Sequence, residues 1–174
     1  MEKWLGFRGC VEAVCVKLKN RHFLRDRDIK KLEGELKGAL GETFSIKDKV
    51  EFGIMNDDVQ LYLVNGVPYF IRMVDLLIPS LKAILNGAVQ LPRVTVDMGA
   101  VGFVTKGADI MIPGIVRVDD NVKQFSLVEV TDEKHGKPLS VGLALMDAGT
   151  IKSSSKGPAV KNLHYVGDTY WTFE

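Results

Sequence analysis

Residues 96–114, Val-Asp-Met-Gly-Ala-Val-Gly-Phe-Val-Thr-Lys-Gly-Ala-Asp-Ile-Met-Ile-Pro-Gly, decide how the rest of this 174-residue chain is read. A β-type run ends at Asp97, whose carboxylate can accept from the free N–H groups that open a helix. Ala100, Val101, Phe103 and Val104 give that short helix an apolar face, and Gly107 stands where a left-handed C-terminal cap would end it. A second extended run, Asp109 to Ile112, then meets the breaker Pro113-Gly114. Strand, capped helix, glycine turn and strand in so short a stretch bring a helix terminus and glycine backbone to one surface. An extended polar polymer can lie there.

Downstream and around this stretch the pattern is one of short strands and tight turns from Arg93 onward, which predicts a barrel. Phe125–Thr131 and Leu139–Met146 read as strands joined by the polar turn Asp132–Pro138. Asp147-Ala148-Gly149-Thr150 starts a short turn or helix through Ser153-Ser154-Ser155, and Ala159–Val166 and Tyr170–Phe173 close the chain around Gly167-Asp168. Upstream, Ile29, Leu32, Leu36 and Leu40 recur at helical spacing, with Asp26 or Asp28 as the cap. Gly34 and Gly38 each cost that helix about 1 kcal/mol relative to alanine, so tertiary packing must hold it. Val50–Met55, Val59–Val64 and Val67–Val74 read as three strands, with Asn65-Gly66 as a two-residue hairpin and Pro68 marking an exposed edge. Pro79 opens a short helix that turns Leu81, Ile84 and Leu85 inward and ends at Asn86-Gly87. The expected class is α+β: a small α+β unit over residues 1–92, with 1–16 an extension, packed on a C-terminal β-barrel over 93–174. No internal repeat and no linker stand out.

A composition 46% apolar and 26% charged suits a soluble globular chain and excludes wholesale disorder. The net charge of +1 excludes a uniformly basic coat, so the distribution matters more than the total. Lys17, Lys19, Arg21, Arg25, Arg27, Lys30 and Lys31 crowd one segment against Asp26 and Asp28. Such a patch can steer a phosphate backbone as an auxiliary contact; it can equally be a solvated, ion-paired helix start. Cys10 and Cys15 lack a second pair, and His22, His135 and His164 are scattered, so no zinc spacing exists and no metal is expected. Free thiols suit a reducing, cytoplasmic setting. No apolar run approaches the roughly 20 residues of a membrane span. Arg8 and Glu12 interrupt the apolar N-terminus, which therefore fails as a signal peptide.

An enzyme finds little support. No glycine-rich phosphate loop of the Walker or dinucleotide type is present, and Gly149 to Gly157 has the wrong order for one. Asp57-Asp58 and Asp119-Asp120 are paired carboxylates in turn-like settings, where aspartate is favoured for its backbone hydrogen bonds. His164 lies in a strand-like run, and Ser153-Ser154-Ser155-Lys156 matches a Ser-x-x-Lys nucleophile by letters only. Binding is better served. Gly107-Ala108 lets a nucleic-acid backbone approach the main chain, exposed N–H groups can donate to phosphate oxygens, and Lys106 adds charge.

The pattern Asp-x-Gly-Ala, a short spacer, then Gly-Ala-Asp-Ile-Met-x-Pro-Gly closely resembles the start of a PUA domain, the small RNA-binding barrel of pseudouridine synthases and archaeosine transglycosylases. Ile78-Pro79-Ser80-Leu81 upstream, with Asn162-Leu163-His164-Tyr165 and Trp171 downstream, looks like the malignant T-cell-amplified protein family and its archaeal relatives, related to the N-terminal part of ligatin. The likeness runs from about Lys17 and is strongest over Val94 to Glu174. It implies a non-catalytic protein linked to translation initiation, reinitiation or recycling, without cofactor, that contacts tRNA or ribosomal RNA rather than DNA or a membrane. An initiation-factor-like protein is the implied protein partner. Accessory presentation of tRNA to a separate modification enzyme, or a protein-interaction module, are the alternatives. The PUA-bearing enzymes keep catalysis elsewhere, in one case in a barrel of about 250 residues for which residues 1–92 leave no room. By matched position the RNA-binding residues are Lys106, Gly107, Ala108, Asp109, Ile110 and Met111, with Lys156 and Lys161 near the closing strands. Relatives often carry a basic residue where this helix has Gly102, so a modest, salt-sensitive affinity is expected.

Overall fold

Three runs rich in β-branched and aromatic residues between Val50 and Met73 pair into a sheet that buries most of their apolar side chains. The computed structural model describes residues 18–40, 45–55 and 59–173. In it β1 (Lys19–Phe23), β2 (Val50–Met55), β3 (Val59–Val64), β4 (Val67–Met73) and β5 (Leu76–Pro79) form an antiparallel sheet in chain order. Helix α1 (Asp26–Leu40) connects β1 to β2, and α2 (Leu81–Leu85) follows β5. Asn65 (φ 53°) and Gly66 (φ 80°) both take the left-handed conformation that the two-residue hairpin between β3 and β4 needs. Leu32 and Leu36 bury the apolar stripe of α1, while Asp26 and Asp28 sit inside its first turn, where their charge favours the helix dipole.

Two expectations change in this half, and the basic segment divides: Lys19–Phe23 form an exposed edge strand, β1, while Arg27, Lys30 and Lys31 lie in the opening turns of α1. Pro68 is buried on an internal strand. It is tolerated because β5 pairs with β4 only as far as Phe70, and a register shift lies beside Pro68. Pro79 ends β5 and does not open α2; Ser80 caps that helix, accepting from the Ala83 N–H at 3.2 Å and donating to the Pro68 carbonyl at 2.6 Å.

The second sheet contains β6 (Arg93–Val96), β7 (Ile110–Met111), β8 (Ile115–Val118), β9 (Leu127–Asp132), β10 (Pro138–Ala144) and β11 (Pro158–Tyr165), in the order β7-β11-β10-β9-β6-β8. It curls into a nearly closed barrel. Helix α3 (Met98–Val104) and a 3₁₀ turn, Ile112–Gly114, flank β7, and α4 (Ala148–Ser153) leads to β11. The β6–β9 contact is parallel, a long-range pairing that no local turn announces. Val94, Val96, Val104, Ile110, Val128 and Val160 fill the barrel.

A second core joins the N-terminal sheet to the outside of the barrel. Leu61, Phe70, Ile71 and Ile78 belong to the same cluster as Leu127 and Val141 of the barrel and Phe173 near the end of the chain. Lys82 Nζ donates to the Phe173 carbonyl at 2.7 Å. Residues 170–173 form turns, not the expected closing strand. The reason is Asp168, whose carboxylate accepts from the N–H groups of Tyr165, Tyr170 and Trp171 and pairs with His164 Nδ1 at 2.7 Å, folding the chain back on itself.

Candidate nucleic-acid interface

Helix α3 is defined at both ends by its own sequence. Asp97 Oδ1 accepts from the Ala100 N–H at 2.8 Å. At the other end the Gly107 N–H donates to the Val104 carbonyl at 3.0 Å and the Ala108 N–H to Phe103 at 3.1 Å, with Gly107 at φ +86°. This is a Schellman-type closure. The Tyr165 ring lies so close that a Cβ at Gly107 would come within 2.8 Å of it. Asn162 on β11 locks the loop, its Nδ2 donating to the carbonyls of Val104 and Ala108 at 3.0 Å each.

Between α3 and β7 runs a groove of about 510 Å³ lined by Gly99, Ala100, Phe103, Ala108, Met111 and Pro113, among others. Phe103 is 69% exposed and Met111 48%, so two large apolar side chains stand at its rim. Lys106 is exposed beside them, and its side chain makes no bond with any described residue. The arrangement offers a π face, small-residue walls and one unneutralised cation, which is what a nucleotide presents partners for: a base to stack and a phosphate to neutralise.

The residues expected at this site divide into two groups. Lys106, Met111 and the Ala108 side chain face solvent, and Gly107 shapes the loop. Ile110 is instead barrel core, 2% exposed. Asp109 and Lys161 pair with each other at 3.1 Å, and Asp109 Oδ1 accepts from the Asn162 N–H at 3.0 Å. These two side chains hold the loop to β11, because a carboxylate beside a candidate phosphate site needs a cation of its own. Lys156 is exposed at the end of the α4 loop, away from the α3 groove lining.

Two contributors were not expected. Phe103 belongs to the apolar residues of α3, yet this short helix buries only Val104 fully, and Phe103 projects into solvent. Asn162 lies on a strand, where its amide carries no recognisable local signal. Its long-range contacts make it a scaffold.

Lys17 of the basic segment, like Asp57, Asp58, Cys10, Cys15 and the N-terminal extension, lies outside the described residues. Arg21 donates to Glu51 at 2.7 Å, Arg27 lies 3.8 Å from Asp28, and Lys19 is also engaged within the chain. Arg25 contributes its carbonyl to the first turn of α1, accepting from Asp28 and Ile29. The Asp119-Asp120 pair is splayed: Asp119 accepts from the Arg93 N–H at 2.9 Å, and Asp120 pairs with Lys152. That lysine holds the exposed Asp120 carboxyl below its ordinary range. His164 is fully buried on Asp168, out of reach of any substrate. Burial pushes the Asp168 carboxyl up, but the His164 contact and the converging N–H groups outweigh it and hold the carboxyl below its usual range. Among the described residues, no group of three His, Cys, Asp or Glu side chains is placed to hold a metal. No helix among them is long and apolar enough to cross a membrane.

Comparison with known proteins gives two family matches: the PUA domain over residues 92–166, and a domain of unknown function (DUF1947) over residues 20–86. The chain is 41% identical over 162 residues to an uncharacterized protein of Methanocaldococcus jannaschii, covering 91% of this chain and 99% of that one. It is 32% identical over 145 residues to translation machinery-associated protein 20 of Saccharomyces cerevisiae, covering 80% of each. Among solved structures, a conserved PUA domain protein from Thermoplasma acidophilum superposes with a TM-score of 0.73 at 28% identity, covering 86% of this chain and 95% of that one.

Proposed function

The chain belongs to the family of PUA-domain proteins that contains translation machinery-associated protein 20 and the malignant T-cell-amplified sequences, and from that premise we propose that it binds RNA in translation through the α3–β7 groove. An RNA-binding role in translation is supported by the PUA match together with the translation-associated relatives. The finer reading is that the groove contacts tRNA or ribosomal RNA, that residues 93–174 are the gripping unit, and that the protein works in the cytoplasm without catalysis of its own. Residues 1–92 then present the sheet against which an initiation-factor-like protein docks.

One observation carries the groove assignment: a cation without an internal partner, Lys106, stands at the glycine-closed end of α3 beside an exposed aromatic ring, Phe103. Lys161 and Lys152, by contrast, are paired with Asp109 and Asp120. Total tRNA and ribosomal RNA titrated at two salt concentrations test the reading. Binding should weaken as salt rises, with a slope equivalent to a few phosphates. Salt-independent binding, or none at low salt, defeats it.

A further inference from the structure

The segment that carries Lys106 has a counterpart of the same spacing in the barrel, although α3 ends in a closed turn and α4 leaves through an extended Ser154. Asp97, Gly99, Lys106 and Gly107 recur, in the same order and spacing, as Asp147, Gly149, Lys156 and Gly157. Asp147 caps α4 as Asp97 caps α3, accepting from the Thr150 N–H at 3.0 Å. Gly99 and Gly149 meet their cap carboxylates alike, at 3.2 Å from where a Cβ would stand. Both helices lead through a lysine into a glycine of positive φ, +86° at Gly107 and +113° at Gly157, and then into a strand. The two exit strands, β7 and β11, pair antiparallel, and Ile110 lies opposite Val160, its own counterpart. The modules therefore face each other across a local two-fold.

Where the segments differ, chemistry differs. Phe103, Val104 and Thr105 of the first module correspond to Ser153, Ser154 and Ser155 of the second. The second module borders a cleft of about 550 Å³ lined by Ile112, Pro113, Val116, Arg117, Ser154 and Ser155, among others. Arg117 is exposed there, Lys156 is exposed next to Ser155 in the chain, and neither side chain bonds a described residue. Lys152, also at the cleft, is occupied by Asp120. Hydroxyls and cations are the usual partners of phosphate oxygens, whereas an exposed ring is a partner of bases. Pro113 lines both this cleft and the α3–β7 groove, so the two are neighbours across a single 3₁₀ turn.

We propose that the β8–α4 cleft is a second RNA contact, holding the sugar–phosphate backbone of the strand that lies in the α3–β7 groove. The proposal rests on the reading of that groove as an RNA site and extends it to a division of labour, the first module taking bases and the second taking phosphates. The probe is labelled total tRNA and the protein is the full chain. Arg117→Glu with Lys156→Glu should weaken binding about tenfold and flatten the salt slope by about 1.5, the loss of two phosphate contacts. Asp120→Asn frees Lys152 and should tighten binding about twofold to threefold. Lys47→Glu with Lys49→Glu changes net charge equally without lining either cleft, and should leave affinity within about twofold. If the Arg117/Lys156 variant binds with unchanged affinity and slope while Lys106→Glu weakens binding, the second contact is refuted and the groove reading stands. An equal loss in the Lys47/Lys49 control makes the effect one of net charge and refutes it too. If the unaltered protein binds no RNA, both readings fall together.

Discussion

The two cationic regions of this protein differ in what their charges do. In the N-terminal sheet Arg21 of the exposed edge strand meets Glu51 at 2.7 Å and Lys19 is also engaged within the chain, so the cations of that strand are spent on internal partners. The barrel half has fewer cations, yet Lys106 sits unpaired on a loop clamped by Asn162 and backed by Tyr165. A polyanion responds to charge that is free and fixed in place, not to the number of basic residues per segment. Exposed ion pairs contribute little stability but do cancel the field that would attract a phosphate.

Removing the rigidity of the barrel loop should have the largest effect. Gly107→Val places a β-branched side chain at φ +86° against the Tyr165 ring, and should destabilise the fold by roughly 2–4 kcal/mol. Thermal melting followed by circular dichroism should show a fall of about 10 °C, with RNA binding lost alongside. An unchanged melting temperature would mean that the loop is not held as described.

Asp168→Asn should cost about 2 kcal/mol, since a neutral amide cannot satisfy four converging donors. The Asp168 carboxyl is held below its ordinary range when folded, so its stabilising contribution is present above pH of about 4 and fades as pH falls through the lowered value. Urea unfolding from pH 6 downward should therefore show a steeper acid loss in the natural protein than in the variant. Parallel profiles would remove Asp168 from the account.

Lys106→Glu should weaken tRNA binding about tenfold while leaving melting unchanged, because the side chain is exposed and contributes charge. Phe103→Ala should cost about fivefold, the low end of base stacking, again with no loss of stability. Replacing Arg21, Arg25 and Arg27 together by alanine sharpens the contrast from the other side: ribosomal-RNA affinity should fall by only about twofold. A larger loss than from Lys106→Glu would reverse the comparison and make the N-terminal strand the principal contact.

Much of the fold was legible because local chemistry was decisive. Asp97 and Gly107 bound α3 by side-chain and backbone demands that act within a turn, and Asn65-Gly66 specifies its hairpin for the same reason. The strands around that hairpin were legible from their β-branched and aromatic runs on either side of it. Pro79 misled because a proline suits both the first turn of a helix and the end of an edge strand, and only pairing with Phe70 distinguishes them. The basic segment was legible in part: its charges say that it is exposed, while the strand over Lys19–Phe23 arises from β2 beside it.

The candidate site divides along the same line. Its position, its glycine turn and its lysine are set by residues a few places apart, so the sequence alone determined the candidate loop and the exposed cation on it. Which neighbours stay available was decided by contacts between residues distant in the chain: Lys161 closing on Asp109, Ile110 entering the barrel, Phe103 left outside, and a counterpart segment of the same spacing brought opposite the first by the β7–β11 pairing. Caps and turns are satisfied within one turn of chain and can be read there. The pairing of charges and the burial of rings depend on what the rest of the chain brings alongside, and that is settled only when the barrel closes.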